Sequence, residues 1–150
     1  MIILTLIPLL IGISIFLIWY FNHASAYERI SLQIGENTIE ADLADTIAKR
    51  TKGLSGRKSL GENEGMFFEF PIKGKHGFWM KDMNFPIDII WIADNKIIGV
   101  EENVDPQIGS SFVQLKTYYP EVLVNYVLEI ASDGFKKLDI KIEDLVKINK

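Results

Sequence analysis

GFWMKDMNFPIDIIWI, residues 77–92, is the stretch on which the fold turns. It is apolar enough for a core, yet Lys81, Asp82 and Asp88 stand inside it and Pro86 interrupts it. Pro86 has no N–H to give a sheet ladder, so the stretch reads as two strands, over residues 77–83 and 87–93. Side chains alternate along a strand, so Phe78, Met80 and Asp82 share one face while Trp79, Lys81 and Met83 share the other. Asp88 falls on the face of Ile90 and Ile92. Burying an unpaired ion costs on the order of several kcal/mol, so Lys81 and Asp88 must be solvated or partnered. A fold-back over residues 84–86 would let the two approach each other, with Arg57 as a further partner. The leading reading is an ion pair that pins the bend. A shallow polar site beside Trp79 comes second, because an aromatic ring with nearby polar groups suits a small ligand.

Outward from this stretch the pattern stays that of strands. Residues 29–34 and 38–43 alternate on either side of Gly35, Glu36 and Asn37, which predicts a hairpin. Asp45 is placed to cap a short helix over 46–52 that Gly53 ends. Residues 66–70 read as a strand stopped by Pro71. Asp94 and Asn95 supply a tight turn into a strand over 96–101, and 103–111 is loop. Residues 121–130 alternate as a strand, Ser132 caps a short helix over 133–138, and 145–148 form a last strand. Strands not separated by long helical segments point to an all-β fold, a small antiparallel sandwich or barrel with one or two short helices.

The N-terminus is different in kind. Residues 1–27 contain no Lys, Arg, Asp or Glu, and 2–21, IILTLIPLLIGISIFLIWYF, match the ~20 apolar residues that cross a bilayer as a helix. The run is apolar all round rather than on one face, and Trp19 and Tyr20 close it where such rings favour headgroups. Ala24, Ser25 and Ala26 form the small-x-small pattern that a signal peptidase reads. The run exceeds the ~7–15 residues of a signal core and lacks a basic leader, which favours an uncleaved transmembrane helix. The expected organisation is an anchor or signal segment over 1–23, a linker over 24–28 and a β domain over 29–150. That domain is expected on the extracytoplasmic side, and secreted if the chain is cut after Ala26.

Composition removes several functions. A net charge of −4 without a basic block gives no electrostatic footprint for nucleic acid. Without cysteine there is no disulfide, thiolate nucleophile or Cys-based zinc site. His23 and His76 are the only histidines, too few for a metal site without imported carboxylates, so no metal or cofactor is expected. Ser55 in GLSGR, residues 53–57, is no nucleophile elbow, since a glycine follows it directly. Asp82, Asp88 and Glu129 could pair as acid and base, but their spacing gives no support for that. The expected ligand-binding residues are Arg57, Trp79, Lys81 and Asp88, meeting a small polar molecule or a saccharide. A hydrolase using carboxylates near Lys81, and a structural partner of another membrane protein, are the rivals.

Five blocks occur in one order: GLSGR (53–57), GMFFEF (65–70), FWMKDM (78–83), PIDII (86–90) and VLEI (127–130). Together they resemble the DUF192 (UPF0127) family, whose pattern runs GLxxR, GMxFxF, FWMKNM, PLDIIFID and YVLE. The resemblance covers residues 38–148 and implies a compact, mostly β, single-domain protein of bacteria or archaea, often behind a signal peptide or anchor. It carries over no catalytic residue. Arg57, Lys81 and Asp88 match its polar signature, with Trp79 beside them. Asp82 stands where the family usually has Asn, and residues 131–134 and 143–144 depart from its small-Gly and Gly-Asp turns.

Overall fold

The computed structural model describes residues 27–107, 109 and 114–150, and Ile13 apart from them. The apolar run and the 24–26 tripeptide therefore lie outside the described residues, Ile13 excepted. Among the described residues no helix is long and apolar enough to cross a membrane.

The first hairpin forms as its alternation predicts: β1 (Glu28–Ile34) pairs antiparallel with β2 (Asn37–Ala44), and Gly35 takes the turn at φ 57°. Residues 45–63 then cross over, through helix α1 (Ile47–Lys52), to β3 (Glu64–Gly74). That crossover makes β3 parallel to β2, the exception in an otherwise antiparallel sheet. A short strand β4 (Phe78–Trp79) is followed by the hairpin of β5 (Ile87–Ala93) and β6 (Lys96–Val104). Asp94 and Asn95 turn it with φ 49° and 63°, the left-handed pair that a two-residue hairpin loop needs. After β7 (Thr117–Tyr118) and β8 (Val124–Ala131) come helix α2 (Gly134–Lys137) and β9 (Val146–Asn149).

Seven strands form one sheet in the order β6-β5-β8-β3-β2-β1-β9, while β4 and β7 form a separate ribbon. The large sheet curls until its edges approach. Lys96 bridges to Leu145, Glu143 N donates to Ile97 O at 2.8 Å, and Val146 N donates to Asn95 O at 2.8 Å. The result is a mostly β half-barrel with two short helices.

Each face of the curl has its own core. Inside, Leu32, Ile39, Phe67, Ile90 and Leu128 interlock, and Phe135 and Ile140 close one end. Outside, Met66, Phe68, Ile89, Trp91 and Val127 are covered by a second layer containing Phe78, Met80 and Met83. The near-continuous apolar run of β5 follows from this, since both of its faces are buried.

Several local expectations change. Pro71 does not end β3; the strand continues to Gly74 with an irregularity after Glu69, where a missing N–H is tolerated. The strand expected over 77–83 shrinks to two residues, because Asp82 turns the chain at φ 55° and the carbonyls of Lys81 and Asp82 are claimed by the 53–57 loop. Thr46, not Asp45, caps α1: its hydroxyl accepts from Lys49 N at 3.2 Å, while the Asp45 carboxylate pairs with the Lys49 ammonium at 3.1 Å. Ser132 donates to the Asn103 side chain instead of capping α2.

Candidate functional site

The sheet register places the polar residues. Directly paired strand residues point the same way, so Arg29, Asp42, Met66, Glu129 and Ile89 form one row across β1, β2, β3, β8 and β5 on the outer face. Asp88 pairs with Ile130 and so lies on the inner face. Two buried acids thus sit on neighbouring rows and opposite sides of one sheet.

Asp88 has 0% exposure and both of its oxygens are engaged. Asn103 N donates to Oδ1 at 2.8 Å and Phe135 N donates to Oδ2 at 2.9 Å. The carboxylate therefore caps α2 from another strand and fixes the bulge of β6, where Asn103 has φ 53°. The expected Lys81–Asp88 ion pair does not form. Lys81 pairs in solvent with its neighbour Asp82, and the anion on β5 is satisfied by main-chain donors instead of a cation. Asp88 is thus structural, and it leaves the group of ligand-facing residues.

The other three expected residues gather on the outer face. Gly53 ends α1 at φ 50°, and a Cβ there would lie 3.5 Å from Phe68 Cζ. The loop that follows is stitched to the 81–84 turn: Ser55 Oγ donates to Lys81 O at 2.7 Å, Gly56 N to Asp82 O at 2.9 Å, and Asn84 Nδ2 to Arg57 O at 2.8 Å. Arg57 Nη2 reaches Asp42 Oδ2 at 2.6 Å and its guanidinium lies 5.6 Å from the centre of the Tyr27 ring.

Beside this loop lies a pocket of about 200 Å³ between the end of α1, the aromatic residues of β3 and residues 76–79. One wall is a stack: the Arg50 guanidinium lies 5.2 Å from the Phe70 centroid, and Phe70 stacks on His76 at 3.6 Å and 7°. Arg50 Nη1 is held there by the Asp45 and Glu69 carbonyls, each at 2.7 Å. Phe78 packs edge-on against Phe68 at 4.8 Å, and Trp79, 37% exposed, stands at the mouth. Of the four residues expected from sequence, only Trp79 lines the pocket.

Glu129 forms its floor. The residue is 6% exposed, whereas the fully buried side-chain atom without a hydrogen-bond partner among the described residues is the Tyr27 hydroxyl. Burial pushes its pKa up to about 8, against a weaker downward pull from Arg57, so the acid is protonated at neutral pH. Its signal in the sequence is an acid between Leu128 and Ile130 inside an apolar strand. Paired carboxylate chemistry is not assembled here: Asp82 faces solvent, while Asp88 and Glu129 are separated by the sheet. Among the described residues no group of three or more His, Asp or Glu could hold a metal ion.

A curled, mostly β half-barrel with an aromatic pocket over a buried acid is thus the class of protein that fold and geometry define. The DUF192 family model, described as an uncharacterized ACR, matches residues 30–148, and the chain belongs to that family. Two solved structures share the fold. One is a protein described as a candidate transcription regulator of Sinorhizobium meliloti 1021, at TM-score 0.74 and 24% identity, covering 82% of this chain and 95% of that one. The other is a protein of unknown function from Novosphingobium aromaticivorans DSM 12444, at TM-score 0.70 and 27% identity, covering 81% of this chain and 84% of that one. No curated protein matches the chain.

Proposed function

We propose that this protein is a non-catalytic binding module, tethered to a membrane by its apolar N-terminal run, whose outer-face pocket takes a small polar ligand on the extracytoplasmic side. The observation that carries the reading is Glu129: an acid 6% exposed in an apolar strand, lining a cavity walled by aromatic rings. An acid held in an apolar strand at the base of a pocket, among aromatic rings, is the kind of polar group that fixes a small ligand. The tether is supported by the length and all-round apolarity of residues 2–21. Arg57, Lys81 and Asp82 contribute by holding the loop and turn beside the pocket.

The test is a thermal-shift screen of small polar compounds, saccharides included, on the full chain in detergent. A ligand present at 100 times its Kd stabilises by about 2.7 kcal/mol. The expected result is a compound that raises the midpoint of the wild type and fails to do so in Trp79→Ala. Stabilisation that survives Trp79→Ala, or a screen without a stabilising compound, would count against the pocket. Resistance to alkaline carbonate extraction, with protease accessibility from outside spheroplasts, tests the tether and its side.

A further inference from the structure

We infer that the pocket selects a small zwitterion, with a quaternary ammonium seated against the aromatic walls at Glu129 and an acidic group at the rim beside Lys52 and Arg50. The inference rests on the pocket being a ligand site and adds the charge pattern of what enters it. Asp88, the other buried acid, has no capacity left, since main-chain N–H groups fill both oxygens. Of the two buried acids among the described residues, Glu129 is the one that lines a cavity.

Three features of the lining favour this pattern. Ring faces attract cations, most strongly in a desolvated site; Phe70 is already taken by Arg50 and His76, and Phe68, Phe78 and Trp79 are the other aromatic rings of the lining. The acid on the floor becomes a counter-ion for a cationic group once it gives up its proton. The rim is basic: α1 has no acid in its first turn and ends in Lys49, Arg50 and Lys52. Lys49 is occupied by Asp45, and Arg50 Nη1 by two carbonyls. Lys52 lines the pocket with no ion-pair partner among the described residues. Positive charge outside and an acid inside complement a molecule that enters ammonium first. A neutral sugar would leave that polarity unused.

The charges facing Glu129 are few. Arg57, from the loop after α1, is already paired with Asp42 of β2; Arg50 and Lys52 come from α1; and His76 lies between β3 and β4. Met66 and Ile89, its neighbours across β3 and β5, are apolar. Tyr27 stands beyond Arg57 with its own pKa raised by burial. A cation placed at the floor favours the carboxylate form of Glu129. At pH 7 the acid must then give up its proton, so ammonium binding releases about one proton and tightens about tenfold between pH 7 and pH 9.

Free zwitterions and phospholipid headgroups share this chemistry. The test uses the full chain in polyoxyethylene micelles, which carry neither sugar nor amine. Glycerophosphocholine, whose two charges are fixed across this pH range, is titrated by calorimetry beside choline, inorganic phosphate and methyl glucoside, in buffers of differing ionisation enthalpy. The expected result is tightest binding of glycerophosphocholine, at least about tenfold over choline or phosphate, with proton release at pH 7. Glu129→Gln should abolish the release and weaken binding about tenfold or more. Lys52→Ala should retain the release but lose the preference over choline. If Glu129→Gln fails to fold, proton release by the wild type decides by itself. Binding of methyl glucoside without proton release would overturn the zwitterion and leave the pocket standing. Failure of glycerophosphocholine and choline to bind would overturn the inference, and the compound screen then judges the pocket alone. Vesicles separate the sources: binding of the free compound that is lost in phosphatidylcholine but kept in phosphatidylglycerol assigns the site to headgroups, and binding kept in both assigns it to a soluble zwitterion.

Discussion

Asp88→Ala is the sharpest probe of how this domain is held together. The carboxylate is fully buried and takes one main-chain N–H from the β6 bulge, at 2.8 Å, and one from α2, at 2.9 Å. Alanine would orphan both donors, each at a cost of about 1–3 kcal/mol. Removing a desolvated carboxylate returns part of that. The net loss should be about 3 kcal/mol, which for a domain of this size lowers the melting midpoint by roughly 10 °C. Circular-dichroism melting of the full chain in detergent measures it, and amide exchange at Asn103 and Phe135 should accelerate first. Lys81→Ala, which touches only an exposed pair, should stay within about 0.5 kcal/mol of wild type. A midpoint for Asp88→Ala within about 2 °C of wild type would refute the reasoning, because the two N–H groups would then have other partners. A large loss in Lys81→Ala would restore the ion-pair reading.

Glu129 makes stability pH-dependent in a direction unusual for a carboxylate. Its folded pKa of about 8 lies above the ordinary 4.5, so the folded state holds a proton that the unfolded state has released. Its stabilising contribution is full below about pH 4.5 and is lost as pH rises towards 8, a change of several kcal/mol. Glu129→Gln should flatten this slope and gain on the wild type as pH rises, as read from urea midpoints at pH 5, 7 and 9; parallel profiles would show that the acid is ionised and hydrated. Gly65→Ala places a Cβ 2.8 Å from the Glu129 carbonyl and 2.9 Å from Leu128 Cδ1. With main chain on one side it should cost about 1–3 kcal/mol in a denaturation experiment, and an unchanged midpoint would mean that β3 and β8 can separate slightly.

Alternation and turn chemistry made much of the framework legible. The β1–β2 hairpin and the Asp94–Asn95 turn are local devices, and both form where the residues ask for them. Non-local choices were not legible. The parallel pairing of β2 with β3 depends on where a crossover docks, and Pro71 lies in a strand because its missing donor falls at an irregularity. Asp88 was recognisable as an acid in need of partners. Its donors lie 15 and 47 residues away and are main-chain groups, which carry no side-chain signature. Trp79 was picked out by its chemistry and lines the pocket, and Glu129 was visible only as an acid in an apolar strand. That it faces a cavity, on the side of the sheet away from Asp88, follows from a register that alternation within one strand does not specify.

The pairing of Ile89 with Glu129 beside that of Asp88 with Ile130 has a consequence for assembly. If β5 were displaced by a single position relative to β8, the alternation of either strand would be inverted. Asp88 would lose its two donors, or Glu129 would be driven into the dry interior. Both errors are expensive, and they arise from the same misstep. The two acids therefore act as a key that only one alignment of these strands can turn.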